Sequence, residues 1–397
     1  MYSEKISSAI QAVTRFSHVG PVITRFEPQG IETPSGMLTL VVRTDTKFAT
    51  RNIQKSFLLN GSELTQDKRH KVSSEEFNDV VSDAYAEWGT NIVSAWAENL
   101  NYDHYNLSPS TTGTHIHFHS ADSLAQATIR KAGIMVNKDT DPLFVSLDDM
   151  IHEDVFRAAD VRGRFAEIGF SRQFSSQGKE AGFVARPGKT RIKEQIEAVR
   201  QKATEMREVG GDRIPIIFLE DNVRHARTPL WIINEMQKAG VFENAQVAGI
   251  ATCFAVASRE EREKLRHEEQ QIPLVVGVDY TNSLVDVVTP RDHLFDGLVV
   301  RVREKLGRVP SFLLAADEIA RNFKINPDLA NVFRQQVLDA NERFCDHVEE
   351  ETSVVLPLKS FTPGPTISKI LGIPEDMPMK QVLRNVRKPL WNTFDLT

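Results

Sequence analysis

Cysteine is nearly absent: the 397-residue chain has two, Cys253 and Cys345, without metal-binding spacing. This excludes a disulfide framework and fits a reducing, cytoplasmic setting. No apolar run approaches the roughly 18 residues of a membrane helix, and the opening stretch MYSEKISSAIQAVTRF lacks a hydrophobic segment. Neither a membrane span nor a signal peptide is expected. Basic charge is not in excess either, with 48 Lys and Arg against 54 Asp and Glu, which excludes a general affinity for nucleic acid or anionic membrane. Internal repeats and low-complexity tracts are missing. What is present, 41% hydrophobic and 26% charged residues over 397 positions, suits a soluble globular protein of two or three domains.

The stretch that organises the chain is 214–240. Apolar residues Ile214 to Leu219 lead to two adjacent carboxylates, Glu220 and Asp221. A basic loop follows, then Thr228 and Pro229 open an amphipathic segment that stops at Gly240. Thr228 suits a helix cap and Pro229 the first turn, where its missing N–H sacrifices nothing. With the apolar run from Gln246 to Val256, the pattern is strand, loop, helix, strand, and the loop lies at the carboxyl end of a parallel strand, where open α/β sheets bind ligands. The loop has no glycine, which excludes a classical dinucleotide turn. Val223 stands where a haloacid-dehalogenase-like phosphatase would need its second Asp. A solvated strand end is the plain alternative for the acid pair.

This stretch resembles the ribose-phosphate signature of type I phosphoribosyltransferases: an apolar strand, two acids, a short loop, a terminal Thr and a helix. The resemblance implies that Glu220 and Asp221 hold the ribose hydroxyls of phosphoribosyl pyrophosphate (PRPP). It also implies that the loop and the helix start at Thr228 hold the 5-phosphate. Arg224, His225, Ala226 and Arg227 replace the family's loop glycines, so side chains would take over part of the backbone's anion binding. A second apolar run, Leu143 to Leu147, ends at Asp148 and Asp149, where the family binds pyrophosphate. These acids would act there as indirect anchors for magnesium. Arg186, after the strand-like Gly182–Ala185, is a further phosphate candidate, with Lys189 and Arg191 beside it. Late loops in the family cover the acceptor base, which makes Tyr280 and His293 base-side candidates, while Phe295 reads as ordinary packing.

Thr114–Ser120 carries His115, His117 and His119 at alternate positions, so an extended strand would point all three one way. Such a face could hold a transition metal if further ligands converged on it; a half-exposed polar face is the simpler reading. Trp88 and Trp96, on a long helix capped at Ser73 or Ser74, read as core.

The expected architecture is α/β with a mostly parallel sheet of phosphoribosyltransferase-like type. An N-terminal α+β domain spans 1–140, the α/β domain 141–310, and a helical extension 311–397 acts as a cap or homo-oligomer contact. The function implied is binding of a small phosphorylated ligand, with transfer of phosphoribosyl from PRPP to a nitrogen nucleophile if catalysis is intact. Two alternatives stand beside it: a non-catalytic nucleotide or sugar-phosphate binder of the same fold, and a metal-dependent hydrolase built on the histidine strand.

Overall fold

The computed structural model describes residues 22–23, 31–32, 38–44, 53, 58–60, 63–67, 70–105, 114–136, 139–174, 180–186, 188–223, 227–255, 272–278, 280–281, 284–302 and 305–387. The chain divides into two units, one chiefly Leu40–Phe118 with Val287–Thr397, the other chiefly His119–Asp286. This differs from the linear series 1–140, 141–310 and 311–397. The reason is packing between segments remote in sequence, which composition does not reveal.

The His119–Asp286 unit is built on a five-stranded, all-parallel sheet. Its strands in chain order are Leu143–Ser146, Arg164–Glu167, Ile214–Val223, Ala245–Ala255 and Leu274–Val278. Numbered first to fifth, they lie side by side as 2-1-3-4-5. The third strand is therefore central, and its run from Ile214 to Leu219 is buried on both faces, as a parallel strand between helical layers requires. On one face Ile196, Val199 and Ala203 of helix Ile192–Gly210, with Ile232 and Met236 of helix Arg227–Lys238, pack on Val145, Ile216 and Phe218. On the other, Phe156 of helix Glu153–Ala159 lies 5.1 Å from Phe144, and helix Ala121–Gly133 packs along the fourth and fifth strands. That last packing is close: a Cβ on Gly277 would lie 2.2 Å from Thr128 Oγ1.

Between the second and third strands an antiparallel hairpin, Phe170–Phe174 with Glu180–Ala185, leaves the sheet. Phe170 and Phe183 on this hairpin meet Trp231 at 5.5 and 4.3 Å, fixing the hairpin against helix Arg227–Lys238. Gln195 ties down its root, accepting from the Gly169 N–H at 2.7 Å and donating to the Gly169 and Thr190 carbonyls.

In the other unit, helix Ser74–Glu98 packs against helix Ala330–Thr352. Ser73 caps the first by accepting from the Glu76 N–H at 3.1 Å. Trp88 donates to Asn341 Oδ1 at 2.7 Å and sits among Tyr85, Phe295 and Phe344. Trp88, Trp96 and Phe295 are thus core, as their spacing suggested. Leu284–Val288 belongs to a separate four-stranded sheet and Leu298–Val302 pairs antiparallel with Lys305–Val309, so neither completes the parallel sheet. Gly133–Val136 is the helix end and a turn.

Candidate functional site

In a 2-1-3-4-5 sheet the chain leaves the first strand in one direction and the third in the other, opening a crevice between their carboxyl ends. Here the crevice lies beside Leu143–Ser146 and Ile214–Val223. The first strand's last pairing is Ser146 with Leu219. The third runs on to Val223, supported past that point by the fourth strand alone, through Glu220 with Thr252, Asn222 with Phe254 and Val223 with Ala255. The acid pair therefore lies inside an extended strand, not at its end as the sequence suggested, because the fourth strand continues the hydrogen-bond ladder beyond the apolar run.

Both acids are buried. Asp221 is held by its neighbour: Oδ1 accepts from the Asn222 N–H at 2.6 Å and Oδ2 from Asn222 Nδ2 at 3.0 Å. Glu220 differs, since its Oε2 is buried without a hydrogen-bond partner among the described residues. Burial pushes the Glu220 carboxyl well above the usual range, and Asp221 and Asp148 push the same way, against the opposing pull of Arg186 and Arg172.

Across the crevice the chain leaves the first strand through Leu147, whose N–H donates to the Leu219 carbonyl at 2.9 Å, and reaches Asp148 and Asp149. Arg186, at the foot of the hairpin, meets both: it lies 3.6 Å from Asp148 Oδ2, pairs with Asp149 Oδ1 and donates to the Leu147 carbonyl at 3.0 Å. Asp148 Oδ1 also accepts from the Met150 N–H at 2.8 Å, closing a tight turn. The two acids thus converge on a guanidinium where magnesium was expected to be anchored. Among the described residues no group of three His, Cys, Asp or Glu side chains could hold a metal ion. The arrangement does not fit the magnesium role assigned to Asp148 and Asp149, and no step is assigned to that ion.

The structure thus brings Glu220, Asp221, Asp148, Asp149 and Arg186 to one crevice. Helix Arg227–Lys238 starts at Arg227, so Thr228 lies in its first turn and is not the cap. Arg224 and His225 lie outside the described residues, as does the Arg227 side chain. Lys189 is engaged elsewhere, 3.0 Å from Glu167.

His293 is not a base-side residue. It is fully buried, its ring lying 6.0, 4.8 and 5.5 Å from Trp96, Phe323 and Phe333, with Nδ1 bonded to Ser311 Oγ at 2.6 Å. No face remains for a nucleobase, and burial drives its pKa down to about 3. Tyr280 opens a two-residue strand paired with Ile31–Glu32, and its side chain lies outside the described residues. Of the histidine strand, His117 and His119 are buried, not half-exposed, while the His115 side chain lies outside the description.

Three contributors were missed from sequence: Asn222, which locks Asp221, and Arg172 and Gln195. Arg172 sits opposite Phe183 in the hairpin and lowers the Glu220 pKa against its burial. Hairpin register was the signal that could have found it.

No protein-family model and no curated protein match the chain. Among solved structures it shows a weak similarity to a hypoxanthine phosphoribosyltransferase from Staphylococcus aureus, at 13% identity over 40% of this chain and 73% of that one, with a TM-score of 0.23. So low a superposition carries nothing about fold or function, and the crevice must be read from its own chemistry.

Proposed function

We propose that the crevice between the first and third strands binds a ribose-phosphate ligand, and that the reaction it serves is transfer of phosphoribosyl from PRPP to a nitrogen nucleophile. One juxtaposition carries the reading: at the topological switch point, a buried acid with an unpartnered oxygen, Glu220, stands beside Asp221 with the guanidiniums of Arg186 and Arg172 within electrostatic reach. Carboxyl groups suit sugar hydroxyls and guanidiniums suit phosphate oxygens, so the two halves of a sugar phosphate find chemically matched walls. The work of such a site is positioning and charge stabilisation around a ligand that carries its own leaving group.

Calorimetric titration of the full chain with PRPP tests this. Wild type should bind, and the double variant Glu220→Ala/Asp221→Ala should lose binding while keeping its far-ultraviolet circular dichroism. No heat from the wild type, with or without magnesium, overturns the proposal.

A second reading, ligand binding without turnover, is favoured by the engagement of Arg186 with Asp148 and Asp149, which sets carboxylates on the side where pyrophosphate would leave. Pyrophosphate release in the presence of mixed nucleobases separates the two: its absence from a protein that binds PRPP selects the non-catalytic binder.

A further inference from the structure

The guanidinium of Arg186 is held by three groups of the chain that leaves the first strand. It donates to the Leu147 carbonyl at 3.0 Å, pairs with Asp149 Oδ1 and lies 3.6 Å from Asp148 Oδ2. An anionic ligand gains from an arginine so engaged only by displacing a carboxylate from it. The parts of this contact differ in what holds them. Arg186 is fixed at its backbone, where its N–H donates to the Gly169 carbonyl at 3.1 Å and its own carbonyl accepts from the Lys189 N–H at 3.0 Å. Asp148 is fixed by its turn: Oδ1 accepts from the Met150 N–H at 2.8 Å, and its main-chain carbonyl accepts from Ser146 Oγ at 2.9 Å. Asp149 is the more exposed of the two acids, 32% against 13%, and it makes the closer approach to the guanidinium.

We propose that Asp149 is an autoinhibitory latch: its carboxylate occupies the Arg186 fork in place of a ligand's oxyanion, and an anion reaches the guanidinium as Asp149 turns out toward solvent. The proposal rests on the ribose-phosphate reading for its ligand and adds how that site is restrained. The exchange is like for like, since a carboxylate and a phosphate edge each present paired oxygens to a guanidinium. It asks little of the backbone. The Asp149 side chain rotates about its Cα–Cβ bond, while Asp148 keeps the turn closed and the Arg186 N–H keeps the root of the hairpin closed. A part-exposed ion pair is screened on its open side, so a ligand that brings several oxyanions to the same guanidinium competes with it effectively.

The consequence runs opposite to that of losing a ligand-binding group: removing the Asp149 carboxylate should tighten anion binding, and the gain should pass through Arg186. A carboxylate that only anchored the hairpin would leave anion affinity unchanged or lower it when lost.

The experiment is calorimetric titration of the full chain with inorganic pyrophosphate, and separately with PRPP, without added magnesium. The proteins are wild type, Asp149→Asn, Asp149→Ser as a second way to remove the charge, and the double variant Arg186→Gln/Asp149→Asn. Glu153→Gln controls for net charge, since Glu153 is an exposed acid paired with Arg157. Each is checked for retained fold by circular dichroism. Expected are pyrophosphate binding about three- to tenfold tighter than wild type in both Asp149 variants, Glu153→Gln within about twofold of wild type, and no gain in the double variant. The proposal is overturned if the folded Asp149 variants bind pyrophosphate no more tightly than wild type, if Glu153→Gln gains as much, or if the gain survives without Arg186. Unfolding of both Asp149 variants would make the carboxylate structural and overturn it as well. PRPP separates the latch from the reading it rests on. A gain for pyrophosphate in Asp149→Asn, with PRPP bound no more tightly than pyrophosphate, keeps the latch and overturns the ribose-phosphate reading. Wild-type binding of PRPP without a gain in the Asp149 variants keeps that reading and overturns the latch. Binding of neither anion by any of these proteins overturns both.

Discussion

At the scale of single residues, burial decides which titratable groups hold protons, and the two clearest cases lie in different units. Glu220 has a raised pKa, so the folded chain retains a proton that the unfolded chain releases above the ordinary carboxyl pKa of 4.5. The sign follows from linkage: between that value and the folded pKa the native state binds more protons, so stability is lost as pH rises through the window. Glu220→Gln should flatten this slope and raise the melting temperature above neutral pH, which thermal unfolding monitored from pH 5 to 9 would check. His293 runs the other way. Its pKa falls from 6.5 to about 3, so the unfolded state binds more protons between those values and stability is lost as pH falls through them. Replacing His293 with Gln should weaken the acid sensitivity of unfolding between about pH 6 and 4, read from chemical denaturation at each pH.

At the scale of elements, the hairpin Phe170–Phe174 with Glu180–Ala185 is the part that completes the crevice, and two contacts besides the Gln195 anchor at its root hold it. One is Arg186 on Asp148 and Asp149. Arg186→Ala would leave those two acids facing each other without their cation, and should cost about 1–3 kcal/mol in urea unfolding. Arg186→Lys would recover part of this, since an ammonium cannot span two carboxylates and the Leu147 carbonyl as a planar fork does. The other is the aromatic contact of Phe170 and Phe183 with Trp231. Trp231 is only half-buried, so Trp231→Ala should cost about 2–3 kcal/mol, below the range for a fully buried tryptophan. A variant indistinguishable from wild type in guanidinium unfolding would mean that the hairpin is held elsewhere.

At the scale of the molecule, the partition has a consequence for truncation. Helix Ser74–Glu98 buries Phe77, Tyr85, Trp88, Ile92 and Trp96, and its long partner, Ala330–Thr352, comes from the far end of the chain. A fragment ending near residue 140, where composition alone would place a boundary, should expose this apolar face, bind a hydrophobic dye and aggregate. A fragment over 119–286 keeps the five-stranded sheet and the helices that cover it, and should unfold cooperatively. A monomeric, cooperatively folding 1–140 fragment would contradict the partition.

Sequence by itself determined what depends on local periodicity. The apolar run from Ile214 to Leu219 is a central parallel strand because it must be buried on both faces; the amphipathic segment after it is a helix, and Trp88 and Trp96 are core. It also singled out Glu220, Asp221, Asp148, Asp149 and Arg186, since charged residues interrupting apolar runs are visible in one dimension. Tertiary structure alone decided the rest. The acid pair lies within a strand because a neighbouring strand, not local preference, extends the ladder past Leu219. Asp148 and Asp149 meet a guanidinium because the hairpin folds back over them, and His293 is packed among aromatics drawn from three separate segments. Pairings over such distances leave no periodic trace: they are fixed by which surfaces are complementary once the elements exist, and that complementarity is a property of three dimensions.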